Sequence, residues 1–136
     1  MRILIVEDNK ASAATLSKLL KKNSDSVDLD VRTADTLAEG LHLSNTSYPP
    51  ADITILDLSL PDSPDWHDTV KAIPKFHPPV IVMTGFDLVT VELECYAFGA
   101  QDVFSKAAAV KMIDVVMRAI TSARLRTVAP TLLNET

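Results

Sequence analysis

Glycine, cysteine and positive charge are all scarce in this 136-residue chain, and each scarcity excludes something. The three glycines, Gly40, Gly85 and Gly99, stand far apart, so neither a dinucleotide-binding fingerprint nor a phosphate-binding P-loop can be written. Cys95 is the single cysteine; this excludes a CxxC redox pair and a thiolate zinc cluster, and fits a reducing compartment. His42, His67 and His77 are dispersed, and no HExxH occurs. Thirteen basic residues against eighteen acidic ones leave a net charge of −5, which argues against direct nucleic-acid binding by this segment. The first apolar run, Ile3–Val6, ends at Glu7-Asp8, too short for a signal-peptide core. No run approaches the length of a membrane span, so a soluble, cytoplasmic protein is expected.

What remains is the composition of one ordinary globular domain, 47% apolar and 23% charged. Apolar runs alternate with amphipathic stretches. Ile3-Leu4-Ile5-Val6 reads as a strand buried on both faces, and residues 10–22 place Leu16, Leu19 and Leu20 on one helical face. A weaker strand over Leu29–Thr33 precedes a helix opened by Thr36, with Glu39 three residues on in a capping-box pattern and Leu37 and Leu41 on one side. Ile53–Leu56 is a third strand. Trp66–Phe76 predicts a short helix closed by Pro74 or by His77-Pro78-Pro79, with Trp66 and Phe76 as its core anchors. Val80–Met83 is a fourth strand, 88–98 a weakly committed helix ended by Gly99, and Val103-Phe104 a fifth strand. Val110, Ile113, Met117 and Ile120 mark a last helix, with Arg118, Arg124 and Arg126 in its later half. Five strand-then-helix units predict an α/β fold, a doubly wound parallel sheet with helices on both faces.

In such sheets ligands bind beyond the carboxyl ends of the strands. Those ends carry Glu7-Asp8, Asp57, Thr84 and Lys106. Three carboxylates against one ammonium call for a cation, and a hard divalent ion such as Mg²⁺ suits oxygen ligands. A carboxylate that can attack phosphorus, with an ammonium, a hydroxyl and a metal to stabilise phosphoryl oxygens, makes a phosphoryl-transfer set. Gly85, without a side chain, lets such a group approach the backbone. Asp8 or Asn9 could equally cap the first helix, and Asp57 could be an ordinary loop acid.

With ILIVEDN, ILDLSLPD, VMTG, FGAQD and VFSK in this order, the chain resembles the receiver domains of two-component response regulators. The resemblance covers roughly residues 1–126 as the domain and leaves 127–136 as a tail or truncated linker. It implies a flavodoxin-like (βα)5 fold with strand order 2-1-3-4-5. It also implies Asp57 as the residue phosphorylated from a histidine kinase or phosphotransfer protein. Mg²⁺ would be held by Glu7, Asp8, Asp57 and the Ser59 backbone carbonyl, Thr84 would be the switch hydroxyl, and Lys106 would contact the phosphoryl group. Ser59 and Phe86 would flank the path of the attacking water, and an effector domain or partner would read the switch. A weak homodimer is expected through the fourth helix, fifth strand and last helix, with Val91, Phe104 and Met112 exposed.

Some positions depart from the pattern. Ala107 follows Lys106 where the family has a cis proline, so that loop is either strained or rebuilt. Val103 occupies the aromatic switch position, and Phe104, one residue on, faces the opposite side of the strand. An interaction module that has lost phosphoryl switching is therefore an alternative reading. An aspartate-nucleophile phosphatase, the enzyme alternative, needs a second aspartate where Ser59 stands. Otherwise the domain acts only on its own phosphorylation and turns over no external substrate.

Overall fold

The structure, a computed structural model, describes residues 1–24, 28–108, 110–111 and 113–118. Strands β1 (Arg2–Val6), β2 (Asp30–Ala34), β3 (Ile53–Leu56), β4 (Val80–Thr84) and β5 (Asp102–Ser105) form one parallel sheet in the order β2-β1-β3-β4-β5. Between them lie helices α1 (Lys10–Lys22), α2 (Leu37–Thr46), α3 (Trp66–Lys71) and α4 (Leu88–Ala97). A fifth helix, α5, contains residues 110–111 and 113–118. The predicted doubly wound fold and strand order are those observed.

Side chains alternate across the strands and build two apolar layers. Ile3, Ile5, Ile53, Ile55, Ile81 and Met83 meet Leu16 and Leu20 of α1 and Ile113 and Val116 of α5. On the other face, Leu4, Val6, Leu56, Val82 and Val103 meet α2, α3 and α4 through Leu37, Leu41, Val70, Val91 and Cys95. Val103 and Phe104 fall on opposite faces, as the pleat requires.

Local chemistry sets the element ends. Asn9 Oδ1 accepts from Ser12 N–H at 3.0 Å and caps α1. Thr36 Oγ1 accepts from Glu39 N–H at 3.1 Å and caps α2. Gly99, at φ 103°, turns the chain after α4 in a conformation that side chains resist.

The structure departs from the sequence-based expectations at several elements. β2 runs one residue later than read, over Asp30–Ala34. Of the two closures expected for the helix from Trp66, the structure favours the one near Pro74: α3 ends at Lys71 and Pro74 lies in a 3-10 turn over Ile73–Lys75. Proline has no N–H to give, and its ring crowds the preceding turn. Phe76 is a buried anchor, but Trp66 packs only at the margin of the core and stacks on His67, with ring centroids 3.7 Å apart. Val91, expected on the surface, is fully buried beneath α4, and Phe104 packs against the α1–α5 layer. The exposed stripe of α4 is instead Val89, Leu93 and Tyr96. Met112, Ile120, Arg124, Arg126 and the tail 127–136 lie outside the described residues.

The seat of α2 on the sheet depends on Gly40. A Cβ there would stand 2.7 Å from Val6 Cγ2 and 3.1 Å from Val6 Cγ1. Val6 is buried and β-branched, so it has little freedom to yield. Gly40→Ala gains up to about 1 kcal/mol of helix propensity. It should nevertheless destabilise the protein, because overpacking costs about 1–3 kcal/mol. A lower urea midpoint is the expected result, with the Gly40→Ala loss smaller or absent when it is measured in a Val6→Ala background.

Candidate functional site

The carboxyl ends of β1, β3, β4 and β5 converge on one rim. Glu7 follows β1, its N–H tied to Ala34 O at 2.9 Å, and Asp57 follows β3, its N–H tied to Val6 O at 3.0 Å. Both acids are buried, at 3% and 2% exposure, whereas Asp8 is exposed. Because Asn9 takes the cap of α1, Asp8 is left for the rim. Carboxylate oxygens of Glu7, Asp8 and Asp57 lie within 4.8 Å of one another.

One ammonium answers this charge. Lys106 Nζ donates to Asp57 Oδ2 at 3.0 Å and to Glu7 Oε1 at 3.3 Å. Burial alone would lower the Lys106 pKa, but the hydrogen bonds and charges of Asp57 and Glu7 outweigh it and raise the value. Glu7 is pushed up to about 7 by burial first, then by the neighbouring Asp57, with Lys106 opposing. Its second oxygen, Oε2, is buried without a hydrogen-bond partner among the described residues. An acceptor in that state fits a site whose donor is supplied by a ligand. Three convergent carboxylates are also the donor set of a hard divalent cation.

The remaining predicted residues, Val103 excepted, stand at the strand ends or in the loops that leave them. Thr84 is fully buried at the end of β4, and its Oγ1 accepts from Phe86 N–H at 3.0 Å. A Cβ built on Gly85 would meet no atom within 4 Å, so the space there is open. Ser59 is exposed and its N–H donates to Asp57 Oδ1 at 3.2 Å. Phe86 is 38% exposed, while Val103 is buried in the core. The loop at Ala107 is rebuilt: the cis bonds described are Tyr48–Pro49 and Pro78–Pro79, and Lys106–Ala108 form a 3-10 turn. Ala107 N–H donates to Ser105 Oγ at 3.2 Å. Asp62 was not singled out from the sequence, yet it contacts α2 from the Asp57 loop. Its partners lie 25 and 24 residues away, a distance no local pattern reports.

The sequence model of the response regulator receiver domain matches residues 3–118. The chain belongs to that family. It is 32% identical over 109 residues to the cell cycle transcriptional regulator CtrA of Caulobacter vibrioides, covering 78% of this chain and 44% of that protein. The cell cycle response regulator CtrA of Brucella ovis is 31% identical with the same coverage. The chain thus spans less than half the length of these curated relatives. Among solved structures, the signal receiver domain of a putative Luxo repressor protein from Vibrio parahaemolyticus has the same fold. Its TM-score is 0.77 at 24% identity, over 94% of this chain and 95% of that one. The non-phosphorylated HemR receiver domain of Leptospira biflexa gives 0.70 at 27%, over 88% and 93%.

Glu7 makes the stability of this receiver domain depend on pH. The folded state keeps a proton on Glu7 that the unfolded chain releases near 4.5, the ordinary glutamate value. Its contribution is complete below about pH 4.5 and is lost as pH rises through about 7. In divalent-free buffer, wild-type stability should therefore fall relative to Glu7→Gln across that interval. Urea midpoints measured at several pH values check this, and parallel profiles for the two proteins would refute it.

Proposed function

We propose that this receiver domain is a phosphoacceptor of a two-component relay, with Asp57 accepting a phosphoryl group from the phosphohistidine of a histidine kinase or phosphotransfer protein. The observation that carries the reading is Asp57 itself: a buried carboxylate at a strand end, 3.0 Å from Lys106 Nζ and clustered with Glu7 and Asp8. An Asp57 oxygen forms the new O–P bond as the donor's N–P bond breaks, and the imidazole nitrogen leaves with that electron pair. Lys106 stabilises charge on the phosphoryl oxygens, and the Thr84 hydroxyl, at the next strand end, is the group that turns toward them. Glu7, Asp8, Asp57 and the Ser59 carbonyl would hold Mg²⁺, which when bound neutralises charge shared by the carboxylates and the incoming group.

The surroundings support the rest of the reading. A cleft of about 300 Å³ lined by Ala11, Ser12, Thr15, Leu16, Met83 and Lys106 opens beside the rim and gives the donor protein room. Ser59 and Phe86 offer no amide or carboxylate to orient a hydrolytic water. The exposed Val89, Leu93 and Tyr96 of α4 provide apolar surface for an effector or a second copy. No described helix is long and apolar enough to cross a membrane, and the reading places the domain in the cytoplasm.

A second reading keeps the fold as an interaction module without phosphoryl switching. Its support is Val103, an aliphatic residue packed in the core where the family carries a mobile aromatic. Incubation with a small acyl phosphate and Mg²⁺ separates the two. The phosphoacceptor reading expects an intact-mass gain of one phosphoryl group that requires Mg²⁺ and vanishes in Asp57→Asn. No gain in wild type, or labelling that persists in Asp57→Asn, would overturn it.

A further inference from the structure

The loop that follows Asp57 is fastened to a second crossover. Asp62 is exposed, yet both of its carboxylate oxygens are engaged: Oδ1 accepts from Leu37 N–H at 2.8 Å and Oδ2 from Ala38 N–H at 2.9 Å. These are the first two amides of α2, donors that a helix leaves unsatisfied, and a negative charge there also suits the helix dipole. Thr36 takes the next amide, that of Glu39. One local side chain and one distant one therefore close the first turn between them. Slight burial would raise the Asp62 pKa, but the bonds from Ala38 and Leu37 outweigh it and hold the carboxyl below its ordinary range.

α2 is a firm anchor for this contact. Gly40 seats it on Val6, and Leu37 and Leu41 pack on the core. Val6 O also accepts from Asp57 N–H. A closed circuit results: Val6 bears α2 and the start of the acceptor loop, and Asp62 rejoins that loop to α2 from its far side. Within the circuit Leu58 and Leu60 are buried, and Ser59 stands exposed between them with its N–H on Asp57 Oδ1. The path of the chain through Ser59 is thus held at both ends, by Asp57 and by Asp62.

From this circuit we infer that Asp62 is a positioning residue for phosphoryl acceptance: it fixes the loop carrying Asp57 and Ser59 against α2 without touching the reacting atoms. The inference rests on the phosphoacceptor reading. A merely structural role would weaken α2 alone, and Thr36 supplies the control, since it caps the same helix without reaching the loop.

The test follows phosphorylation of the full chain by a small acyl phosphate, measuring the maximal labelling rate and the half-saturating Mg²⁺ concentration. Asp62→Ala should change one or both by on the order of 10-fold, the scale typical of outer-shell support. Asp62→Asn keeps one acceptor oxygen and should fall between Asp62→Ala and wild type. Thr36→Ala should stay near wild type in both quantities. Equal losses in Thr36→Ala and Asp62→Ala would reduce the effect to helix capping and overturn the inference. Wild-type behaviour of both Asp62 variants, with wild type labelled, overturns the inference alone. An unlabelled wild type overturns the phosphoacceptor reading and this inference with it.

Discussion

Glu7 and Asp57 are both buried, lie beside each other, and share the ammonium of Lys106. A carboxylate taken out of water is costly unless paired and hydrogen-bonded, and here two buried acids and the neighbouring Asp8 face a single base. A fold optimised only for stability has no reason to collect charge this way. A proton on Glu7 relieves part of the imbalance, and a divalent cation would relieve more of it. On the proposed reading, incoming phosphoryl oxygens would then find positive partners that the carboxylates alone could not offer. The chemistry proposed for the rim follows from this constraint.

The rest of the structure holds the constraint in place. A parallel sheet brings every strand's carboxyl end to the same side, so residues 99 apart in sequence, Glu7 and Lys106, come within hydrogen-bond distance. Two apolar layers cover the two faces of the sheet. The missing side chain of Gly40 lets α2 close on Val6, directly before Glu7. Asp62 then links that helix to the loop leaving Asp57. The site's geometry is therefore set by packing, by backbone hydrogen bonds and by the Asp62 contact.

Much of this was legible in the sequence, for physical reasons. Continuous β-branched runs such as Ile3–Val6 and Val80–Met83 report strands covered on both faces, and each run stops next to a residue of the candidate rim. Thr36 and Asn9 announce helix starts because capping is local. Exposure was less legible. Val91 lies beneath α4 while Val89 and Leu93 face out, because a helix uniformly rich in apolar residues does not declare its buried side. The 3-10 turn over Lys106–Ala108 depended on loop closure, and the Asp62 contact on α2 depended on tertiary approach. The burial of Glu7 against the exposure of its neighbour Asp8 is likewise a property of the assembled rim.

The central claim is that carboxylate repulsion at this rim is relieved by a divalent cation. Thermal unfolding with and without millimolar Mg²⁺ tests it most directly. Selective binding to the folded state at about ten times the dissociation constant adds about 1.4 kcal/mol, which for a domain of this size is a rise of a few degrees in melting temperature. The account predicts that rise for wild type and a clearly smaller one for Asp8→Ala. A wild-type melting temperature that does not move with Mg²⁺ would contradict it.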